Sequence, residues 1–175
     1  MTLKSFILSF LFFSVIQFSF AQQDSINFDE VLNAKIKRYQ KQLASEELSQ
    51  KEFDFIIDTM KVETRLQVDL ESDYSTSGMV NATYQAEESY DKLLNKYYKI
   101  LYAHLNKKDK AVLKKAQLSW LSFRDNERLL FQSLSDEAYS GGGSIQRVFS
   151  SHRYLTLTKD RVIQLAHYYL YAENL

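Results

Sequence analysis

The 175-residue sequence contains no cysteine and no proline, and only four glycines. Without cysteine there is no disulfide staple, no thiolate metal site and no cysteine nucleophile. Proline and glycine are the strongest local punctuation of a chain. Here glycine stands only at Gly78 and in the run Gly141, Gly142 and Gly143, so long uninterrupted helices are expected. Lys plus Arg equals Asp plus Glu at 22 each. No bulk field therefore draws the chain to nucleic acid or anionic lipid. His104, His152 and His167 lie far apart and have no metal-ligand spacing. Ser144 follows three glycines but sits in no Gly-x-Ser-x-Gly elbow. No catalytic residue, metal or cofactor is assigned.

What is present begins with a targeting pattern. Lys4 precedes an apolar run from Phe6 to Ile16, and Ser19 and Ala21 are small residues at −3 and −1 of a cut before Gln22. Residues 1–21 read as a secretory signal peptide. The alternative is a retained anchor, but the apolar run is shorter than the ~20 residues a spanning helix needs. The expected product is exported, periplasmic or secreted, with no membrane segment after cleavage.

The mature chain reads as a short N-terminal helix within 22–48 followed by a helical domain over 49–175. Asn27 with Glu30, and Ser49 with Glu52, are helix starts. The first helix is expected from Phe28 to Leu43, and the second carries Phe53, Ile56, Ile57, Met60 and Leu70. Asp73 to Gly78 is a break. A third helix runs from about Met79 to Leu105, with a stripe of Val80, Thr83, Glu87, Tyr90, Leu94, Tyr98, Leu101 and Leu105. Asp109 can cap a fourth helix reaching about Ala138, and Ser144 a fifth reaching about Tyr171. The fold class is an all-α bundle of four to five helices with mainly antiparallel neighbours.

The fourth helix holds the only tryptophan. With Trp120 at zero, Leu113 and Phe131 fall at about 20°, Arg124 at about 40° and Gln117 at about 60°. Two polar side chains thus lie inside an apolar stripe, and a guanidinium facing a core must find partners. Leu118, Leu121 and Leu129, with Asp125 among them, form a second stripe, which suggests a central helix touched on both sides. If the turn after the third helix centres between Lys107 and Lys108, facing residues have numbers summing to about 215. Asp91 then meets Arg124, Glu87 meets Arg128, and Asn95 and Gln117 complete the hydrogen bonds of Arg124. Truncating Asp91 would on that basis cost about 3 kcal/mol or more. The carboxylates Glu87, Glu88 and Asp91 read as ion-pair partners rather than as a general acid and base.

The same residues carry a resemblance. Asp91-x-x-Leu94-Asn95-x-x-Tyr98, then Leu113-x-x-Ala116-Gln117-x-x-Trp120-x-x-Phe123-Arg124-Asp125, then Gly142-Gly143-Ser144, then Thr158-x-x-Arg161 follow in order. Over about Met79 to Leu165 the chain resembles the LprI-type lysozyme-inhibitor family of small exported helical domains. Family members carry cysteines where this chain has Ala82, Arg128 and Arg153. The resemblance implies a helical domain with Asp91, Asn95, Gln117, Trp120, Arg124, Asp125, Thr158 and Arg161 as its structural motif. It also implies kinship with at least one lysozyme inhibitor.

The tyrosines of the third helix, Tyr84, Tyr90, Tyr97, Tyr98 and Tyr102, fit core packing with hydroxyls at the edge. Lys107, Lys108, Lys110, Lys114 and Lys115 surround a turn and read as a solvated junction. The loop Tyr139, Ser140, Gly141, Gly142, Gly143 and Ser144 is the candidate contact with a partner, since loops carry function disproportionately. Asp136 and Glu137 precede it and suit a basic protein surface. The bland alternative is a connector whose glycines permit a sharp reversal. The resulting expectation is a non-enzymatic exported protein that occludes lysozyme or another cell-wall hydrolase. The alternatives are an envelope interaction or scaffold protein without inhibitory activity, and, behind it, a carbohydrate-active enzyme.

Overall fold

A computed structural model describes residues 27–42 and 48–171; the signal-peptide reading of residues 1–21 lies outside the described residues. The described chain forms six helices and no strand: α1 (Phe28–Gln42), α2 (Gln50–Ser72), α3 (Thr76–His104), α4 (Lys107–Leu134), α5 (Glu137–Ser140) and α6 (Ile145–Tyr171). The all-α bundle expected from the sequence is what forms.

Local chemistry sets the helix starts. Asn27 Oδ1 accepts from the amides of Asp29 and Glu30. Ser49 and Glu52 close a reciprocal capping box, which satisfies amides that have no partner within the helix. Three boundaries differ from the sequence reading. α3 begins at Thr76 rather than Met79, because Ser75 Oγ accepts from the Gly78 amide at 3.0 Å. Gly78 is therefore inside the first turn, where a Cβ would lie 2.2 Å from the Asp73 side chain. Asn106, not Asp109, caps α4: its Oδ1 accepts from the Asp109 amide at 3.0 Å. α4 ends at Leu134 rather than near Ala138, where the Ser135 amide folds back onto Phe131 and Gln132.

The densest packing joins α3 to α6. These two helices run parallel, since Thr158 meets Glu87 near their middles and Tyr169 meets His104 near their ends. The bundle is thus not antiparallel throughout. α4 runs the length of the bundle between them in sequence and returns the chain to the end where α3 began. Buried positions on α6, Ser151, Leu155, Thr158, Val162 and Leu165, alternate steps of four and three. Small buried residues, Ala82 and Ala86 on α3 and Ser151, Thr158 and Ala166 on α6, permit close approach. Tyr90, Leu94, Tyr97 and Leu101 complete the α3 side of the core, and Phe55 and Val62 come from α2.

Polar clasps hold α2 against this pair. The Tyr90 hydroxyl donates to Glu63, which also pairs with Lys159 at 2.7 Å. The Tyr97 hydroxyl donates to Asp58 at 2.7 Å, and Lys96 pairs with the same carboxylate. Of the five α3 tyrosines, Tyr90 and Tyr97 are buried, Tyr98 is half-buried, and Tyr84 and Tyr102 are exposed. α1 packs on α2.

α4 is an edge helix, not the central one. It buries Leu113 and Gln117, while Leu118 and Leu129 of the expected second stripe are 58% and 66% exposed. The central place belongs to α3, whose apolar arc is wide enough to touch both α2 and α6.

Candidate interaction site at the loop end of the bundle

The motif residues gather where α3, α4 and α6 meet. Trp120 is half-buried, with the Arg124 guanidinium 5.4 Å and the Arg161 guanidinium 5.9 Å from its ring. Both cations profit from the negative face of the indole. Arg124 donates to Asp125 at 3.0 Å and reaches Asp91 at 3.5 Å. The expected Asp91–Arg124 contact is therefore present, though Asp91 is 42% exposed at the rim.

The rest of the expected network is different. Asn95 donates to Asp91, not to Arg124. Gln117 Oε1 instead accepts from Arg161 Nε at 3.0 Å. Arg161, only 7% exposed, is thus the deeply buried guanidinium, and it also donates to Gln164. Burial works against its charge and pulls its pKa down. Glu87 does not meet Arg128: it accepts from Thr158 Oγ1 at 3.0 Å. Arg128 lies over the Tyr154 ring, whose hydroxyl donates to the Arg128 carbonyl at 2.8 Å. α4 leans against α6 more than against α3, so the pairing rule fails away from residue 124. The motif is an interhelical clasp, and its groups are turned toward one another.

The loop end offers surface instead. Gly141, Gly142 and Gly143 have φ of 76°, 78° and 93°, a left-handed run that only glycine adopts freely. Ser140 organises it: its Oγ donates to the Ser135 carbonyl at 2.9 Å and accepts from the Gly142 amide at 3.0 Å. Gln146 donates to the Ser140 carbonyl. Ser144 stands immediately before α6. These bonds hold the reversal in shape and leave the Tyr139 side chain 72% exposed.

Beside the loop the ends of α2, α3, α4 and α6 diverge around a cleft of about 520 Å³. Leu70, Met79, Phe131, Leu134, Val148 and Phe149 give it apolar walls, with Ser135, Ser150, His152 and Arg153 among its polar groups. Ser135 and Ser150, both in its lining, share a 2.6 Å hydroxyl–hydroxyl bond, and Arg153 lies over Phe131. The cleft was not legible in the sequence, because its lining comes from four separate helix ends. An apolar Phe149 just past a glycine loop was the one available signal.

The profile of the lysozyme inhibitor LprI family matches residues 69–165, a span that includes the Trp120 clasp, the glycine loop and the whole lining of the cleft. The chain belongs to the LprI lysozyme-inhibitor family. No curated protein and no solved structure matches it. In this LprI-family chain the positions expected to hold cysteine are filled otherwise: Ala82 is buried, and Arg128 and Arg153 stack on aromatic rings. Among the described residues no helix is long and apolar enough to cross a membrane.

Proposed function

We propose that the protein is exported and acts, without catalysis, as an inhibitor of lysozyme or a related cell-wall hydrolase. Its glycine-loop end would be seated on the enzyme. Family membership carries the reading, and the loop end supports it on physical grounds. Tyr139 projects from a backbone that is already organised, so little conformational freedom remains to be lost on binding. A tyrosine of this kind supplies contact area and a hydroxyl together. Phe149 and the neighbouring cleft add apolar surface, and Asp136 and Glu137 place negative charge beside it. Such a charge pair would favour encounter with a basic enzyme surface. Lysis of a cell-wall suspension by lysozyme, measured with and without a molar excess of the purified mature chain, is expected to slow in its presence. Unchanged lysis at saturating excess would remove the inhibitor reading and leave an envelope interaction protein. Mass spectrometry of the envelope-derived chain is expected to place its first residue at Gln22.

A further inference from the structure

Neutrality of the whole chain hides a strong segregation of charge. From Lys92 on α3 to Arg124 on α4 the sequence carries nine basic side chains and one acidic, Asp109. Lys92 and Lys96 are engaged by Glu88 and Asp58, and Arg124 by Asp91 and Asp125. The other six, Lys99, Lys107, Lys108, Lys110, Lys114 and Lys115, have no carboxylate partner among the described residues. All but Lys110 are exposed. Asp109 does not offset them, because its carboxylate accepts from Asn106 Nδ2 at the start of α4. Glu52 and Asp54, on the helix that covers the other flank of α3, are held by Ser49 and Gln50.

The fold gains little from this concentration. Lys107 and Lys108 stand in the first turn of α4, where the helix dipole disfavours a cation. Lys110 and Lys114 are four residues apart, a spacing at which like charges on a helix repel. None of the six is an arginine, so they offer point charges rather than forks matched to one anion. Beside them stand groups suited to a boundary between water and lipid. Tyr102 stacks on Tyr98 and lies 5.3 Å from the Lys110 ammonium, and Val112 and Leu118 are exposed on α4.

We propose that this hairpin tip docks on an anionic lipid bilayer. The lysines lie among the phosphate headgroups, with their apolar stems beside Tyr102, Val112 and Leu118. The glycine loop follows the other end of α4, a helix of 28 residues and so about 42 Å long, and stays out of the lipid. Only the choice of membrane in the cell rests on export; vesicle binding is independent of any action on lysozyme.

The mature chain is tested by flotation with vesicles of phosphatidylglycerol in phosphatidylcholine, and with vesicles of phosphatidylcholine alone. Binding is expected to the first only, and to weaken as salt is raised. Lys114→Gln with Lys115→Gln should weaken it about twentyfold and leave the melting temperature unchanged. Lys37→Gln with Lys41→Gln, an equal loss of charge from α1, should leave binding close to wild type. The chain has no cysteine, so an environment-sensitive dye can be placed on Val112→Cys or on Tyr139→Cys. Charged vesicles should shift the emission of the first to the blue and leave the second unchanged. Absence of binding at low salt overturns the proposal, and so does equal binding to both kinds of vesicle. Equal losses from the two double variants would mean net charge alone and overturn the hairpin tip as the site. A response from Tyr139→Cys and none from Val112→Cys would do the same. Polyphosphate that binds through the same lysines as tightly as the charged vesicles would assign the patch to a soluble polyanion, which also overturns it.

Discussion

Arg161 donates from Nε to Oε1 of Gln117 across 3.0 Å, inside the seam between α6 and α4. The bond joins a helix near the end of the chain to the buried face of the edge helix, three residues before the only tryptophan. Its acceptor is neutral, so the buried cation is held by hydrogen bonds and by the indole rather than by a carboxylate. Gln117→Ala is expected to strand the Nε donor and cost about 3 kcal/mol, measured by urea unfolding. Asp91→Ala should cost less than about 1 kcal/mol, because Asp91 sits at the rim and Arg124 keeps Asp125. The reverse order of costs would make Arg124, not Arg161, the cation on which the seam depends.

Alkaline pH should weaken the fold through Tyr90 and Tyr97. Both phenols are pushed well up, first by burial and then by Glu63 and Asp58, which accept their hydrogen bonds. A pKa raised in the folded state means that the unfolded chain releases its proton first. The stabilisation is therefore complete below the ordinary phenol value of about 10 and is lost progressively as pH rises above it. Unfolding free energy followed from about pH 8 to about pH 11 should fall, and Tyr97→Phe should make that fall shallower. An unchanged slope in the variant would remove Tyr97 from the effect.

The glycine run should resist substitution for backbone reasons alone. A Cβ at Gly141 or Gly143 meets nothing within 4 Å, yet both have φ far into the left-handed region. Gly141→Ala and Gly143→Ala are each expected to cost about 1 kcal/mol. Gly141→Asn should cost less, since asparagine tolerates that region better. Equal melting temperatures for wild type and Gly143→Ala would show that the loop can relax to another path.

Tyr139→Ala is expected to leave stability unchanged, because the side chain is largely exposed. It should nevertheless reduce inhibition of lysozyme at least tenfold, in keeping with loss of an aromatic anchor. Inhibition and melting temperature measured on one preparation separate the two effects. A variant that inhibits normally would acquit the loop and turn attention to Phe149 and the cleft.

The helices were legible in the sequence because their causes are local. Asn27 and Ser49 can satisfy free amides within a turn of themselves, and with no proline nothing interrupts the helices they start. Steps of three and four picked out Tyr90, Leu94 and Leu101 as core. The rotation of Gln117, Trp120 and Arg124 to one side of α4 was equally visible, since a helical period is a property of one segment. The partners of those residues were not. Arg124 found Asp91 as the hairpin rule required, but Gln117 and Glu87 turned to Arg161 and Thr158. A rule for two helices joined by a short turn says nothing of a third helix arriving parallel to the first. Small residues on α3 and α6 let those two helices close on each other, and α4 was displaced to the edge. Local hydrogen bonding and periodicity thus set the elements, while the choice of neighbour, the buried cation and the cleft beside the loop arose only from how four long helices share one core.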